Sequence, residues 1–307
     1  MNRLTIILSC QRSGTTFLER CLAGTGLAGN FDEHFVNFID LNQRVSPELR
    51  GSPHLFLKAL QAARDRSGNY GITLMSDYLP VCASRFFGKA LPMDRNEQVA
   101  LSVEFLNELN TFFEEVSYIV LTRNVVQRAI SLLLLQATRR GHIINDVERN
   151  APGDLRDHKA VLPEISAQQI VSLSQTSLLQ IDFLHQVLAQ LDAKVVETTY
   201  DEITSSPQRV ADILTNLGFA GAETKKIIPK TKKVVASEDA MELATRAANY
   251  LGLEDWTYQS LEDTMKAPAF AELEKERRRV DRNDTTDVEK NSPRSKWQRV
   301  KRAFKSH

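Results

Sequence analysis

Cysteine is scarce in the sequence: Cys10, Cys21 and Cys82 are the only three, an odd number without paired metal-type spacing. That argues against a disulfide-stapled scaffold or a cysteine-built zinc site and fits a reducing compartment, where thiols serve as small hydrophobes. Net charge is absent too, 39 Lys and Arg being balanced by 39 Asp and Glu, so no bulk field marks a nucleic-acid partner or a membrane surface. Long apolar runs are missing: "AISLLLLQA", residues 129–137, has about half the length needed to cross a bilayer. "LTIIL" near the amino end is too short for the core of a secretory signal and is closed by polar residues and Arg12. These absences point to a soluble, cytoplasmic, enzyme-like chain whose 307 residues suffice for one large or two small domains.

A further absence is more specific. The apolar run "LTIILS" (residues 4–9) ends in the polar loop Cys10, Gln11, Arg12, Ser13, Gly14, Thr15, Thr16, which opens directly into a helical pattern. Such a junction binds anions, because unpaired N–H groups and the helix dipole both favour negative charge there. Yet no glycine stands at the start of the loop and no lysine follows Gly14, so the G-x-x-x-x-G-K-[ST] pattern of nucleoside triphosphatases is not met. Gly14 permits close backbone approach, Ser13, Thr15 and Thr16 add hydroxyls, and Arg12 adds a full positive charge. The same residues also suit an ordinary strand-to-helix turn.

Five runs read as strands: residues 4–9, 26–31 ("GLAGNF"), 71–76, 117–122 and 193–199. Helical patterns alternate with them, which predicts an α/β fold of P-loop-like, three-layer type, with a central parallel sheet flanked by helices. In "SGTTFLERCLAG" the residues Phe17, Leu18, Cys21 and Leu22 share one face, and Gly24 or Gly26 supplies the stop. "NVVQRAISLLLLQATRRGH" predicts a largely buried helix ending at Arg139, Arg140 and a capping Gly141. "SSPQRVADILTNLGF" predicts another, with Ser206 as N-cap, Pro207 opening it and Gly218 ending it. Residues 143–165 read as loop, and residues 272–296 as solvated or disordered.

In a parallel sheet the residues just after each strand emerge at one carboxyl edge, where ligands of open α/β folds bind. That rule gathers the loop 10–16, Glu33, Asp77, Arg123 and the pair Tyr200 and Asp201 into one candidate site. Asp77 and Tyr200 also suit a cap and an edge packing residue. Arg123 and Ser131, eight residues later in a predicted helix, form a second candidate anion clamp. Cys10 reads as either a reactive or a packed thiol. No His, Cys and acidic cluster shows metal-ligand spacing.

Together, "QRSGTT", "LTRNVVQRAIS" and "TTYDEITSSPQRVADILTNLGF" resemble the sulfotransferases that use 3′-phosphoadenosine 5′-phosphosulfate. The narrower stretches "SCQRSGTTFLERCLAGTGLAGNFDEHF" and "VVQRAISLLLLQATR" resemble the bacterial trehalose sulfotransferase branch. The resemblance covers roughly residues 4–235 and implies a domain of residues 1–270 followed by a charged tail, 271–307. It implies that Gln11 to Thr16 hold the 5′-phosphosulfate, that Arg123 and Ser131 hold the 3′-phosphate, and that no metal is needed. The product would be 3′,5′-adenosine bisphosphate. Glu33 matches the family's catalytic glutamate, while Arg12 stands where many relatives carry lysine. Thr73 occupies a strand position at which relatives often carry lysine, and residues 143–165 match nothing clearly, so the acceptor does not carry over.

Sulfuryl transfer, like phosphoryl transfer, is a loose in-line displacement that depends on positioning and charge stabilisation. The acceptor is expected to be a carbohydrate or glycolipid hydroxyl, deprotonated by Glu33 or by its neighbour His34, a residue type that ordinarily titrates nearer neutrality. Strand-like alternation would turn only one of the two into the site. Arg12 and the helix amino terminus would stabilise the developing charge. Lys230, Lys232 and Lys233 could add to the donor site or merely be solvated. A phosphotransferase with a degenerate loop and a non-catalytic nucleotide-binding protein are the competing readings. The tail "NSPRSKWQRVKRAFKSH" places Trp297, Val300 and Phe304 at helical spacing among six Lys or Arg, the pattern either of a peripheral contact with the inner membrane face or of a solubilising tail. Leu132 and Leu135 could pack in the core or across a homodimer.

Overall fold

The computed structural model describes residues 3–36, 60–139, 142–144, 147–149, 155–221, 231–232, 237–268 and 270. Four strands form a wholly parallel sheet: β1 (Arg3–Ser9), β2 (Tyr70–Met75), β3 (Glu115–Thr122) and β6 (Lys194–Thr199), in the order β2-β1-β3-β6. Register brings the strand ends level, with Ser9 opposite both Met75 and Leu121 and Thr122 opposite Thr199. Two short strands, β4 (His142–Ile144) and β5 (Val147–Arg149), join β7 (Thr231–Lys232) in a separate antiparallel sheet.

Alternation along the central strands divides the core in two. Leu4, Ile6 and Leu8 of β1 and Tyr118 and Val120 of β3 face α2 (Leu79–Phe86), α3 (Arg95–Phe112) and α6 (Ala167–Leu188). Ile7, Ile119 and Leu121 face the opposite layer, α1 (Thr15–Thr25) and α8 (Pro207–Asn216). Each fully buried Leu or Ile in these layers is worth about 1.5–3 kcal/mol relative to exposure. The helix α4 (Val125–Thr138) packs on α6 and on α9 (Ser237–Leu251). Shorter helices are α5 (His158–Val161), α7 (Tyr200–Ser205) and α10 (Tyr258–Lys266), with a 3₁₀ turn at Leu162–Glu164. Contacts divide the chain into two units, Met1–Glu262 and Asp263–His307; described residues of the second comprise the end of α10 and the stretch up to Phe270.

The three-layer α/β architecture matches the sequence reading, and four of the five strands lie where they are predicted. The strand at 26–31 does not form. Gly29 takes φ 109°, and a Cβ there would sit 2.0 Å from the Gly71 amide nitrogen, so the segment crosses the end of β2 as an irregular turn. Its Asn30 amide bonds to the Ala63 carbonyl at 2.9 Å rather than to a strand. The end of α4 also differs: Arg139, not Gly141, takes the left-handed cap at φ 62°, and its amide bonds to the Leu135 carbonyl. Residues 143–165 contain strand and helix pieces where only loop is expected. At α8 the predicted cap, proline and terminator all hold: Ser206 accepts from the Gln208 amide, Pro207 opens the helix and Gly218 follows it at φ 84°.

Candidate active site

The strand order reverses beside β1, since β2 pairs on one side of it and β3 on the other. The crevice of an open α/β sheet lies at such a switch point, at the carboxyl ends of the strands. There the chain turns through Cys10–Gly14 into α1, with the Ser13 amide on the Cys10 carbonyl at 3.3 Å and the Phe17 amide on the Gly14 carbonyl at 3.0 Å. Gly14 is the N-cap, at φ 97° and ψ 18°. Among the described residues nothing accepts from the amides of Gly14, Thr15 and Thr16. Three donors at a helix start, with their dipole behind them, form an anion cradle.

Cations gather at the same edge. Arg12 Nε donates to the Ser131 hydroxyl at 3.2 Å, so the first loop and α4 meet directly. Arg123, leaving β3, donates through Nη1 to the Arg12 carbonyl and through Nε to Gln127, each at 3.4 Å. Its guanidinium lies 4.5 Å from the centre of the Tyr200 ring, a stacking contact that arginine favours. Burial, then repulsion by Arg123, pushes the Arg12 guanidinium down to about 10. Arg123 is lowered as well, chiefly by burial. Two half-buried cations that oppose each other are relieved by an anion placed between them.

The acidic side is built by β2 and the 30–35 turn. Glu33 is half-buried and lies against the Tyr78 hydroxyl, whose proton is directed at the Thr73 carbonyl at 3.0 Å. Burial raises the Glu33 carboxyl above its ordinary range, the Tyr78 bond opposes this, and Asp32 and Asp77 add to the rise. His34 is buried, its Nε2 on the Asn30 carbonyl at 2.7 Å. Asp77 accepts from the Gln11 side chain at 3.1 Å and so fastens the loop to the end of β2. Cys10 is buried beside Ser76, and burial pushes its thiol up, the signature of a packed rather than a reactive cysteine. Asp201 is exposed at the start of α7 and acts on Arg123 only through its charge. Lys230, Lys233 and the basic tail lie outside the described residues, as does the side chain of Lys232.

Three groups escape the sequence reading. Tyr78, which holds Glu33, directly follows Asp77 at the end of β2. Arg128 lies buried in the first turn of α4; the lone cation among "VVQRAISLLLL" is the available signal. Glu19 is buried on α1, one turn past the anion loop, and accepts from the Thr73 hydroxyl at 2.7 Å. Thr73 therefore serves a buried carboxyl.

Burial raises Glu19 to about 7, against a lowering by Thr73, with Asp32 and Glu33 adding to the rise. The native state thus holds a proton that the unfolded chain releases, so this stability is complete below about pH 4.5 and is lost as pH rises to about 7. From 4.5 to about 7 the loss is about 3 kcal/mol at ~1.4 kcal/mol per pH unit. Glu19→Gln is expected to flatten that dependence. Urea unfolding of both proteins at pH 5 and pH 8 checks it, and parallel pH profiles would dismiss the buried-proton account.

Among the described residues no group of His, Cys, Asp and Glu is placed to hold a metal ion, and no helix is long and apolar enough to cross a membrane.

The family model described as Stf0 sulphotransferase matches residues 5–248. No curated protein matches the chain. Among solved structures, a sulfotransferase from Alicyclobacillus acidocaldarius is 14% identical, with a TM-score of 0.40 over 83% of this chain and 98% of that one. The sulfotransferase domain of the Synechococcus PCC 7002 olefin synthase is 15% identical, with a TM-score of 0.36 over 86% and 94%. Retinol dehydratase in complex with androsterone and inactive cofactor PAP is 14% identical, with a TM-score of 0.33 over 95% and 83%. Overlaps this weak add nothing on ligand or acceptor.

Proposed function

From the chain's membership of the Stf0 sulphotransferase family, which matches it from residue 5 to residue 248, we propose that it transfers a sulfuryl group from 3′-phosphoadenosine 5′-phosphosulfate to a hydroxyl of a carbohydrate or glycolipid acceptor. The observation that carries the donor is the meeting of two cationic anion sites, the 10–16 loop and the Arg123 corner, through the Arg12–Ser131 hydrogen bond. A ligand with phosphate groups at both its 5′ and 3′ ends satisfies both; one with a single polyphosphate chain does not.

The donor, when bound, supplies an activated sulfuryl group whose leaving group is an already stable phosphate. The loop amides and Arg12 stabilise the charge that develops there, each such preorganised donor being worth about 3 kcal/mol. Arg123 and Ser131 hold the 3′-phosphate. Glu33 accepts the acceptor's hydroxyl proton; its raised basicity suits that task, and Tyr78 orients it. We favour Glu33 over His34 because the His34 ring is turned onto the Asn30 carbonyl.

Calorimetric titration with 3′,5′-adenosine bisphosphate, with ATP as the comparison, tests the donor. Micromolar binding of the bisphosphate and a strong preference over ATP are expected. Arg123→Ala should weaken bisphosphate binding at least about tenfold, as loss of a charge-assisted bond does. Equal binding of ATP would favour a phosphotransferase instead, and unchanged affinity in the variant would remove Arg123 from the site.

A further inference from the structure

Arg128 has no part in the reading above, yet it is the one Arg or Lys among the described residues that is fully buried, at 3% exposure. A buried guanidinium is costly unless its donors are used. Here Nε donates to the Gln11 carbonyl at 2.6 Å and Nη2 to Gln180 at 2.8 Å, while Nη1 donates to the Ser177 hydroxyl. All three acceptors are neutral, and among the described residues no carboxylate lies within ion-pair distance. Asp77 acts on it only through charge, so the guanidinium is held by hydrogen bonds rather than by an ion pair, and it lies against the anion loop.

The bond to Gln11 has a geometric consequence. Two successive loop carbonyls are held by guanidinium groups, that of Gln11 by Arg128 and that of Arg12 by Arg123. Between them Arg12 takes φ 68°, a left-handed conformation that is unfavourable for a non-glycine residue. The Gln11 carbonyl belongs to the peptide that leads into Arg12, so the Arg128 bond sets the path by which the chain enters the turn that ends in the Gly14, Thr15 and Thr16 amides. The Gln11 side chain is tied separately, to Asp77, so the loop is fixed from both sides.

We propose that Arg128 is a positioning residue for the 5′ half of the donor site: it anchors the Gln11 carbonyl and so fixes the turn that presents the Gly14, Thr15 and Thr16 amides to the anion. The helix α6 thereby takes part in donor binding without touching the ligand, through Ser177 and Gln180. This rests on the donor reading given above.

A pair of ligands separates positioning from mere stability. The 3′,5′-bisphosphate uses both anion sites, whereas adenosine 3′-monophosphate uses only the Arg123 corner. Arg128→Lys keeps the charge but loses the planar fork. It is expected to weaken the bisphosphate about tenfold, the effect of one lost charge-assisted bond, and to leave the 3′-monophosphate within about twofold. Gln180→Ala, which loosens the far end of Arg128, should act in the same direction, about threefold; it decides the matter if the lysine variant does not fold. Equal losses for the two ligands, or none for either, would overturn the proposal. A wild-type protein that fails to bind the bisphosphate would instead overturn the donor reading, and this assignment with it.

Discussion

Glu33→Gln is expected to lower turnover by ~10²–10⁴-fold, the usual worth of a general base, while the affinity for 3′,5′-adenosine bisphosphate stays within about twofold of wild type. The separation follows from the layout. Glu33 stands on the acidic side with Tyr78, Asp32 and Asp77 as its electrostatic neighbours, whereas the cations and free amides lie on the loop and at α4. Glutamine keeps the size and can donate its amide to the Tyr78 oxygen, whose own proton goes to the Thr73 carbonyl, so the turn should hold its shape. The pH profile gives a second readout. A base works only when ionised, and burial raises the Glu33 carboxyl above its ordinary 4.5. Turnover should therefore rise with pH through a limb lying above that value, and the limb should vanish in the glutamine variant. A variant with normal rate and an unchanged limb would move the base to another residue, His34 first.

The route by which Glu33 reaches the site shows what a sequence can and cannot convey. The sequence places it beside the loop through a strand that does not form; in the structure its neighbours are Tyr78, Asp32 and Asp77. The glycines of "GLAGNF" read as a weak strand, whereas Gly29 is needed for a positive φ and for contact with the backbone of β2. Close approach of two backbones leaves no periodic trace. By contrast, the level strand ends made Asp77, Arg123 and Tyr200 readable, because a parallel sheet delivers such residues to one edge whatever its strand order.

Buried polar residues hid the rest. The 22-residue helix α6 carries Ser174 and Ser177 inside the core, each satisfied by a carbonyl of its own helix, at 2.8 Å and 2.7 Å. Polar letters on the buried face blur the apolar stripe that would announce the helix. Arg128 is hard to read for a related reason. A cation at helical spacing reads as solvent-facing, and only the neutral acceptors brought by the Gln11 carbonyl and α6 make its burial tolerable. Arg139 escaped because the cap it forms is one that glycine usually supplies.

Gly14→Ala is expected to be the most damaging small substitution in the loop. Two costs add. At φ 97° an L-residue incurs about 1–2 kcal/mol of backbone strain. The new Cβ would also stand 2.1 Å from Cδ2 and 2.6 Å from Cε2 of the Tyr200 ring, and overpacking of this kind typically costs about 1–3 kcal/mol. The ring cannot simply swing away, because Arg123 stacks on it at 4.5 Å and Phe17 meets it edge-on at 6.4 Å. Moving Tyr200 would displace Arg123 and, through its bond to the Arg12 carbonyl, the loop itself. The alanine variant should thus lose about 2–5 kcal/mol of stability and bind the bisphosphate at least about tenfold more weakly. A double-mutant cycle with Tyr200→Ala separates the two costs. The double variant should recover the clash but not the strain, giving a coupling of about 1–3 kcal/mol in urea unfolding. Additive losses would mean that Tyr200 does not confine Gly14, and that the ring, Arg123 and the loop do not move as one unit.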